Sequence, residues 1–106
     1  MKIPNNLEEC FPDLEKVLNE DDLKEFTAKP ESDVIKWHHS LGRWIRNNWT
    51  LWKGGKLANY FKAMEINHPD DMSGIILTSF WRYRNSKPIE LEAQVKSYKD
   101  YWKKNG

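Results

Sequence analysis

The stretch HPDDMSGIILTSFWRYR, residues 68–84, decides the fold of this chain. Pro69 takes the first position of a predicted helix, where its missing N–H costs least, and Asp70 and Asp71 follow in the first turn, where the helix dipole favours negative charge. The rest of the stretch is apolar on most sides, and its small residues permit close packing. It therefore predicts a buried central helix against which the other helices pack.

A second long helix is predicted upstream, with Ser32 as its N-cap and apolar side chains recurring every three or four residues. One stripe of this helix is predicted to face the core: Val34, Trp37, Leu41, Trp44, Asn48 and Leu51, flanked by His38, Ile45, Trp49 and Trp52. The opposite stripe is polar: Lys36, His39, Ser40, Arg43, Arg46, Asn47 and Thr50.

This helix predicts structural roles for several residues. Trp37, Trp44, Trp49 and Trp52 are expected in the core because they share a sector with aliphatic side chains. Asn48 lies in the same sector, so we expect it to be buried and hydrogen-bonded. Gly42 in mid-helix costs up to about 1 kcal/mol relative to Ala, which indicates the close approach of another helix.

The remaining segments also have helical patterns. Asn6 and Glu9 form a predicted capping box, and Pro12 is expected to kink or restart the helix that follows. A second short helix is predicted after Asn19, and another after Gly54-Gly55. The last helix carries an apolar stripe made of Leu91, Val95, Tyr98 and Trp102. The sequence thus predicts an all-α fold, with residues 1–106 forming a single domain of five to six short helices.

Composition excludes several classes of protein. With 39% hydrophobic residues and six Trp in 106 residues, the chain has too many apolar and aromatic residues to be a disordered tail. One Cys excludes an intramolecular disulfide framework and a cysteine-rich zinc module. No apolar run approaches the roughly 18 residues of a spanning helix, and the first ten residues have no apolar signal core. We therefore expect a soluble, cytoplasmic protein with no membrane association.

The net charge of +1 conceals an asymmetry between the two parts of the chain. Residues 1–33 carry four basic and ten acidic residues, whereas residues 34–106 carry thirteen basic and six acidic residues. Six basic residues and no acidic one lie between Lys36 and Lys62. This pattern fits an anionic partner for the basic part, and equally an acidic N-terminal region that folds back onto it.

One candidate site would bind polyanions. Arg43, Arg46 and Asn47 share one helical face, and Lys53 and Lys56 follow around the Gly54-Gly55 turn. Arginine and asparagine side chains are suited to phosphates and base edges, and tryptophans can stack on bases if they are exposed. A solvated helix face explains the same residues.

Another candidate is a small-ligand or enzyme site formed by His68, Asp70 and Asp71, with the hydroxyl of Ser73 nearby. Helix initiation alone also explains these residues. His38 and His39 are adjacent, so they point in different directions on a helix and cannot easily chelate one ion. We therefore predict no metal site, no cofactor and no catalytic set.

Three stretches resemble a bacterial family of domains of unknown function, family 6794. They are HHSLGRWIRNNWTLW (38–52), HPDDMSGIILTSFWRY (68–83) and the tail IELEAQVKSYKDYW (89–102). The resemblance covers most of residues 3–102. It implies a small helical stand-alone domain and brings no activity, substrate or catalytic residue. The loop from Trp52 to Lys56 is more basic than the family pattern leads us to expect.

Taken together, the sequence favours a non-catalytic protein-interaction or accessory domain, of which an immunity-like inhibitor is one concrete form. Nucleic-acid or polyanion binding through residues 36–56 is the alternative, followed by a small-ligand site or enzyme around residues 68–71. The partner and the oligomeric state are left open.

Overall fold

The fold, taken from a computed structural model that describes residues 2–105, is built around helix α5, Pro69–Arg84. Before α5 come α1 (Leu7–Val17), α2 (Glu20–Ala28), a 3₁₀ helix (Glu31–Trp37), a π helix (His38–Gly42), α3 (Arg43–Asn48) and α4 (Lys56–Lys62), and after it comes α6 (Leu91–Asn105). All of these elements contact α5, which confirms the predicted central helix. Residues 2–105 contain no strand, so the all-α prediction is confirmed.

Local capping signals place the starts of the helices. The Asn6 side chain accepts a hydrogen bond from the backbone N–H of Glu9, and the Glu9 carboxylate accepts one from the N–H of Asn5, both at 3.0 Å. Asn19 caps α2 in the same way, accepting from Asp22 N at 2.8 Å. Pro12 does not restart the helix, because α1 runs through it without a break.

The prediction of one regular α-helix from Ser32 onward is wrong. The chain winds first as a 3₁₀ helix, then as a π helix, and only from Arg43 as an α-helix. These three forms differ in residues per turn, so a single 3.6-residue period misplaces the side chains of α3.

Three assignments are corrected as a result. Arg46, predicted on the polar stripe, is only 5% exposed and lies on the buried side of α3 with Ile45. Asn48, predicted to be buried, is exposed and donates a hydrogen bond to the carbonyl of Trp44 at 2.9 Å. Trp52, predicted in the core, is 62% exposed.

The other tryptophans of this region pack inward. Trp49 is fully buried, and Trp37 and Trp44 lie partly buried against the core. Trp37 meets Phe26 edge-to-face with ring centroids 5.4 Å apart, and Trp44 meets Trp49 in the same way at 5.6 Å. Such pairs add to the stabilisation from buried area.

Helix α3 ends at Asn48, several residues before the Gly54-Gly55 pair. Thr50 has a positive φ of 50°, and the N–H of Leu51 donates to the carbonyl of Arg46 at 3.1 Å, which is the bond of a Schellman motif. Glu65 ends α4 and Ser86 ends α5 in the same conformation. Because none of these residues is glycine, the sequence carries no local signal for the helix ends.

Helix α6 packs closely on α5 where Gly74 faces Tyr98. A Cβ added at Gly74 would lie 2.5 Å from the Tyr98 hydroxyl oxygen and 3.5 Å from the ring carbon that bears it. We predict that Gly74→Ala lowers the free energy of unfolding by about 1–3 kcal/mol, because the clash forces the side chain or the helix to move.

The same substitution in a Tyr98→Phe background should be tolerated, since the clashing oxygen is then absent. Urea denaturation of both single variants and the double variant measures this. An equal loss in the two backgrounds would show that the hydroxyl contact is not what excludes a side chain at position 74.

Candidate functional site

A largely buried polar cluster surrounds the guanidinium of Arg46. Its Nη1 donates to the buried Ser73 Oγ at 2.8 Å, its Nη2 donates to the carbonyl of His38 at 3.2 Å, and its Nε lies 3.3 Å from Asp70 Oδ1. A buried guanidinium must keep its donors satisfied, because unpaired buried polar groups are costly. The cluster therefore ties the π helix and α3 to the first turn of α5.

Gly42 makes room for this cluster. A Cβ at that position would lie 3.0 Å from Arg46 Nη1 and 3.5 Å from Leu77 Cδ1 of α5. The sequence therefore indicated correctly that another helix approaches here, but the nearest neighbour is the buried arginine of the same helical segment.

His68 and Asp71 form a second cluster with the last helix. The His68 ring stacks on Trp102 with centroids 4.1 Å apart and planes 17° apart, and Trp102 Nε1 donates to Asp71 Oδ2 at 2.7 Å. The His68 side chain does not cap α5. Trp102 keeps 41% of its surface exposed, so it is a partly exposed aromatic side chain held in place from two sides.

The site residues predicted from sequence thus separate into two groups. Asp70 and Asp71 lie in the first turn of α5, directly after His68, and Arg46 of α3 contacts Asp70. The remaining candidates lie elsewhere on the surface. Those exposed candidates are Arg43, Asn47, Lys53 and Lys56.

Sequence reasoning did not find the roles of His38 and Trp102. His38 Nε2 lies 3.9 Å from Asp70 Oδ1, and Trp102 reaches Asp71 across 31 positions of sequence. Both contacts join residues more than thirty positions apart, so no local pattern in the sequence points to either of them.

A groove of about 380 Å³ borders the Arg46 cluster, between the 3₁₀ helix and helices α5 and α6. His38 belongs to both the cluster and the groove. The other lining residues are Glu31, Ser32, Val34, Ile35, Gly74, Leu77, Thr78 and Tyr98. Ile35 on its edge is 72% exposed, the highest value among the large hydrophobic side chains.

The hydroxyl of Ser73, a candidate for chemistry in the sequence, is used in hydrogen bonds within the protein both as donor and as acceptor. Ser73 is buried, accepts a hydrogen bond from Arg46 and donates one to the carbonyl of Asp70 at 3.0 Å. It therefore holds the first turn of α5 in place and is not accessible to a substrate. Among residues 2–105, no three His, Cys, Asp or Glu side chains converge as a metal site would require.

The acidic N-terminal region pairs mainly with basic residues of α5, apart from a local pair between Asp33 and Lys36. Glu15 Oε2 lies 2.6 Å from Arg84 Nη1, and Glu31 Oε2 lies 2.9 Å from Arg82 Nη2. In the part of the chain that the structure describes, these acids form no ion pair with Arg43, Lys53 or Lys56.

The single cysteine, Cys10, is buried, and burial raises the pKa of its thiol. A thiol that resists ionisation is a poor nucleophile, so Cys10 acts as a packing residue. None of the helices between residues 2 and 105 has the length and apolar character needed to cross a membrane.

The chain was compared with models of known protein families, with curated proteins and with solved structures. The family model DUF6794, described as a domain of unknown function, matches residues 3–84. The match ends with α5, so it does not include the tail at residues 89–102, where the sequence also suggested a resemblance. Comparison with curated proteins and with solved structures finds no match.

The titration of His38 gives a test of the Arg46 cluster. Burial lowers the pKa of His38 below its ordinary value, and the charge of Arg46 lowers it further. The charge of Asp70 raises this pKa, and His39 lowers it. Below about pH 6.5, the unfolded chain therefore takes up a proton that the folded protein resists, and stability falls as the pH falls.

We predict that His38→Gln reduces this loss of stability between about pH 7.5 and pH 5.5, because the group responsible is removed. His39→Gln, at the exposed neighbouring position, serves as the matched control. Urea midpoints at the two pH values measure the effect. If His38→Gln and the wild type lose the same amount of stability between the two pH values, the folded structure does not resist protonation of His38.

Proposed function

This chain belongs to the DUF6794 family of domains of unknown function, and we propose that it acts as a non-catalytic protein-binding domain. The observation that carries the proposal is the exposure of Ile35 beside the groove between the 3₁₀ helix and α5. The expected bacterial origin and cytoplasmic location belong to the same proposal, as does an immunity-like inhibitor as one form of such a domain.

The 3₁₀ helix explains how Ile35 comes to lie on the edge of the groove. With three residues per turn, side chains three positions apart are eclipsed, so Ser32 and Ile35 form one row, which His38 continues at the start of the π helix. All three line the groove. Val34, one position earlier, is buried in the core. The row supports a binding function because it presents an isoleucine to solvent while the core is already filled.

The wall that α5 contributes is low and partly apolar. Gly74 has no side chain, Thr78 is small and Leu77 is buried. Tyr98 of α6 closes the groove on the other side, and its pKa is raised mainly by burial. This shape supports the insertion of one or two apolar side chains from a protein partner, with the edge residues contacting its backbone.

A photo-cross-linker incorporated at position 35 tests the proposal in cells of the natural host. We expect one predominant protein adduct at position 35 and none at Asn59, an exposed control position on α4. The absence of a specific adduct at position 35 would contradict the proposal.

Binding of the purified partner then provides the quantitative test. We predict that Ile35→Glu weakens affinity at least about tenfold, because a charge would be placed against an apolar contact. Trp52→Glu makes the same change in polarity at another exposed apolar side chain and should leave this affinity unchanged. If the two variants weaken binding equally, the groove is not the binding site.

A further inference from the structure

We propose that a surface around Trp52 binds single-stranded nucleic acid. We define the Trp52 surface as Trp52 together with four exposed polar or basic residues close to it in sequence, Arg43, Asn47, Lys53 and Lys56. This proposal is independent of the protein-binding groove, since none of these residues lines it.

The first observation is the exposure of Trp52 itself. The early end of α3 and the Leu51 N–H bond to the carbonyl of Arg46 bring the chain back onto the last turn of the helix. Leu51 is buried, whereas Trp52, the next residue, is 62% exposed. An exposed indole next to a helix end offers a flat face on which a nucleic-acid base can stack.

The second observation is the charge of the region. Residues 34–64 contain six basic residues and no acidic one. Arg46 is taken up by the buried cluster, and Lys36 lies 3.5 Å from Asp33. Arg43, Lys53 and Lys56 are exposed and have no carboxylate within ion-pair distance in the part of the chain that the structure describes.

The third observation is the open backbone between the two lysines. Gly54 and Gly55 have φ angles of 91° and 116°, which other residues rarely adopt. No heavy atom lies within 4 Å of the position that a Cβ would take at either glycine. A phosphate group can therefore approach this backbone closely while Lys53 and Lys56 provide positive charge on each side.

The combination favours nucleic acid over an acidic protein. Lysine is depleted at protein–protein interfaces, whereas surfaces that bind single strands combine cationic side chains with exposed aromatic rings. Stacking on Trp52 requires an unpaired base, so a single strand fits this surface better than a duplex. The amide of Asn47 can add a hydrogen bond to a base edge or a phosphate.

Fluorescence anisotropy with labelled oligo(dT) and oligo(rU) of about twelve nucleotides tests the proposal on the full chain. We expect binding at low salt, with weaker binding to a duplex of the same length. Trp52→Ala should weaken binding about tenfold, since the stacking contact is lost. Tyr101→Ala, at another exposed aromatic side chain beside lysines, should leave the affinity unchanged.

The salt dependence identifies the phosphate contacts. Each contact with a single strand adds about −0.7 to the slope of log K against log salt concentration, so Lys53→Gln with Lys56→Gln should reduce the slope by about 1.4. Thermal unfolding followed by circular dichroism confirms that each variant is folded.

Three results would overturn the proposal. They are no binding of either oligonucleotide at about 50 mM salt, an affinity unchanged in Trp52→Ala, and displacement by poly-glutamate as effective as displacement by an unlabelled oligonucleotide. The last result would assign the surface to acidic polypeptides. Ile35→Glu should bind oligonucleotides like the wild type, so failure of this proposal is distinguishable from failure of the groove.

Discussion

The rest of the structure depends on one constraint: the buried guanidinium of Arg46 needs hydrogen-bond partners for its donors. Its donors reach the carbonyl of His38 in the π helix and the hydroxyl of Ser73 in α5, and its Nε lies against Asp70. A guanidinium presents its donors in a fixed planar fork, so these groups must come together in one arrangement. Gly42 leaves the space that the fork occupies.

Both proposed binding surfaces follow from this arrangement. The cluster holds His38 against the start of α5, so the row formed by Ser32, Ile35 and His38 lies along the groove. Helix α3 is short and turns Arg46 toward the core. Because it ends at Asn48, Trp52 lies in the turn that follows, on the surface. One change of helical geometry thus positions the apolar edge and the exposed indole.

The sequence predicts the features that local chemistry determines. Asn6, Asn19 and Pro69 mark helix starts because their effect acts within one turn, and the apolar stretch after Pro69 identifies the central helix. The burial of Arg46 depends on Ser73, 27 positions away, and could not be predicted from a 3.6-residue period. The end of α3 could not be predicted either, since Thr50, the left-handed residue that follows the helix, is not a glycine.

The most direct test of this account compares Arg46→Lys with Arg43→Lys by urea denaturation at neutral pH. Lysine keeps the charge but not the fork, so at position 46 it leaves the His38 carbonyl or the Ser73 hydroxyl without its donor. We predict a loss of about 1–3 kcal/mol in the free energy of unfolding for Arg46→Lys and a change within about 0.5 kcal/mol for the exposed Arg43→Lys. Equal stability of the two variants would contradict the central role of the buried guanidinium.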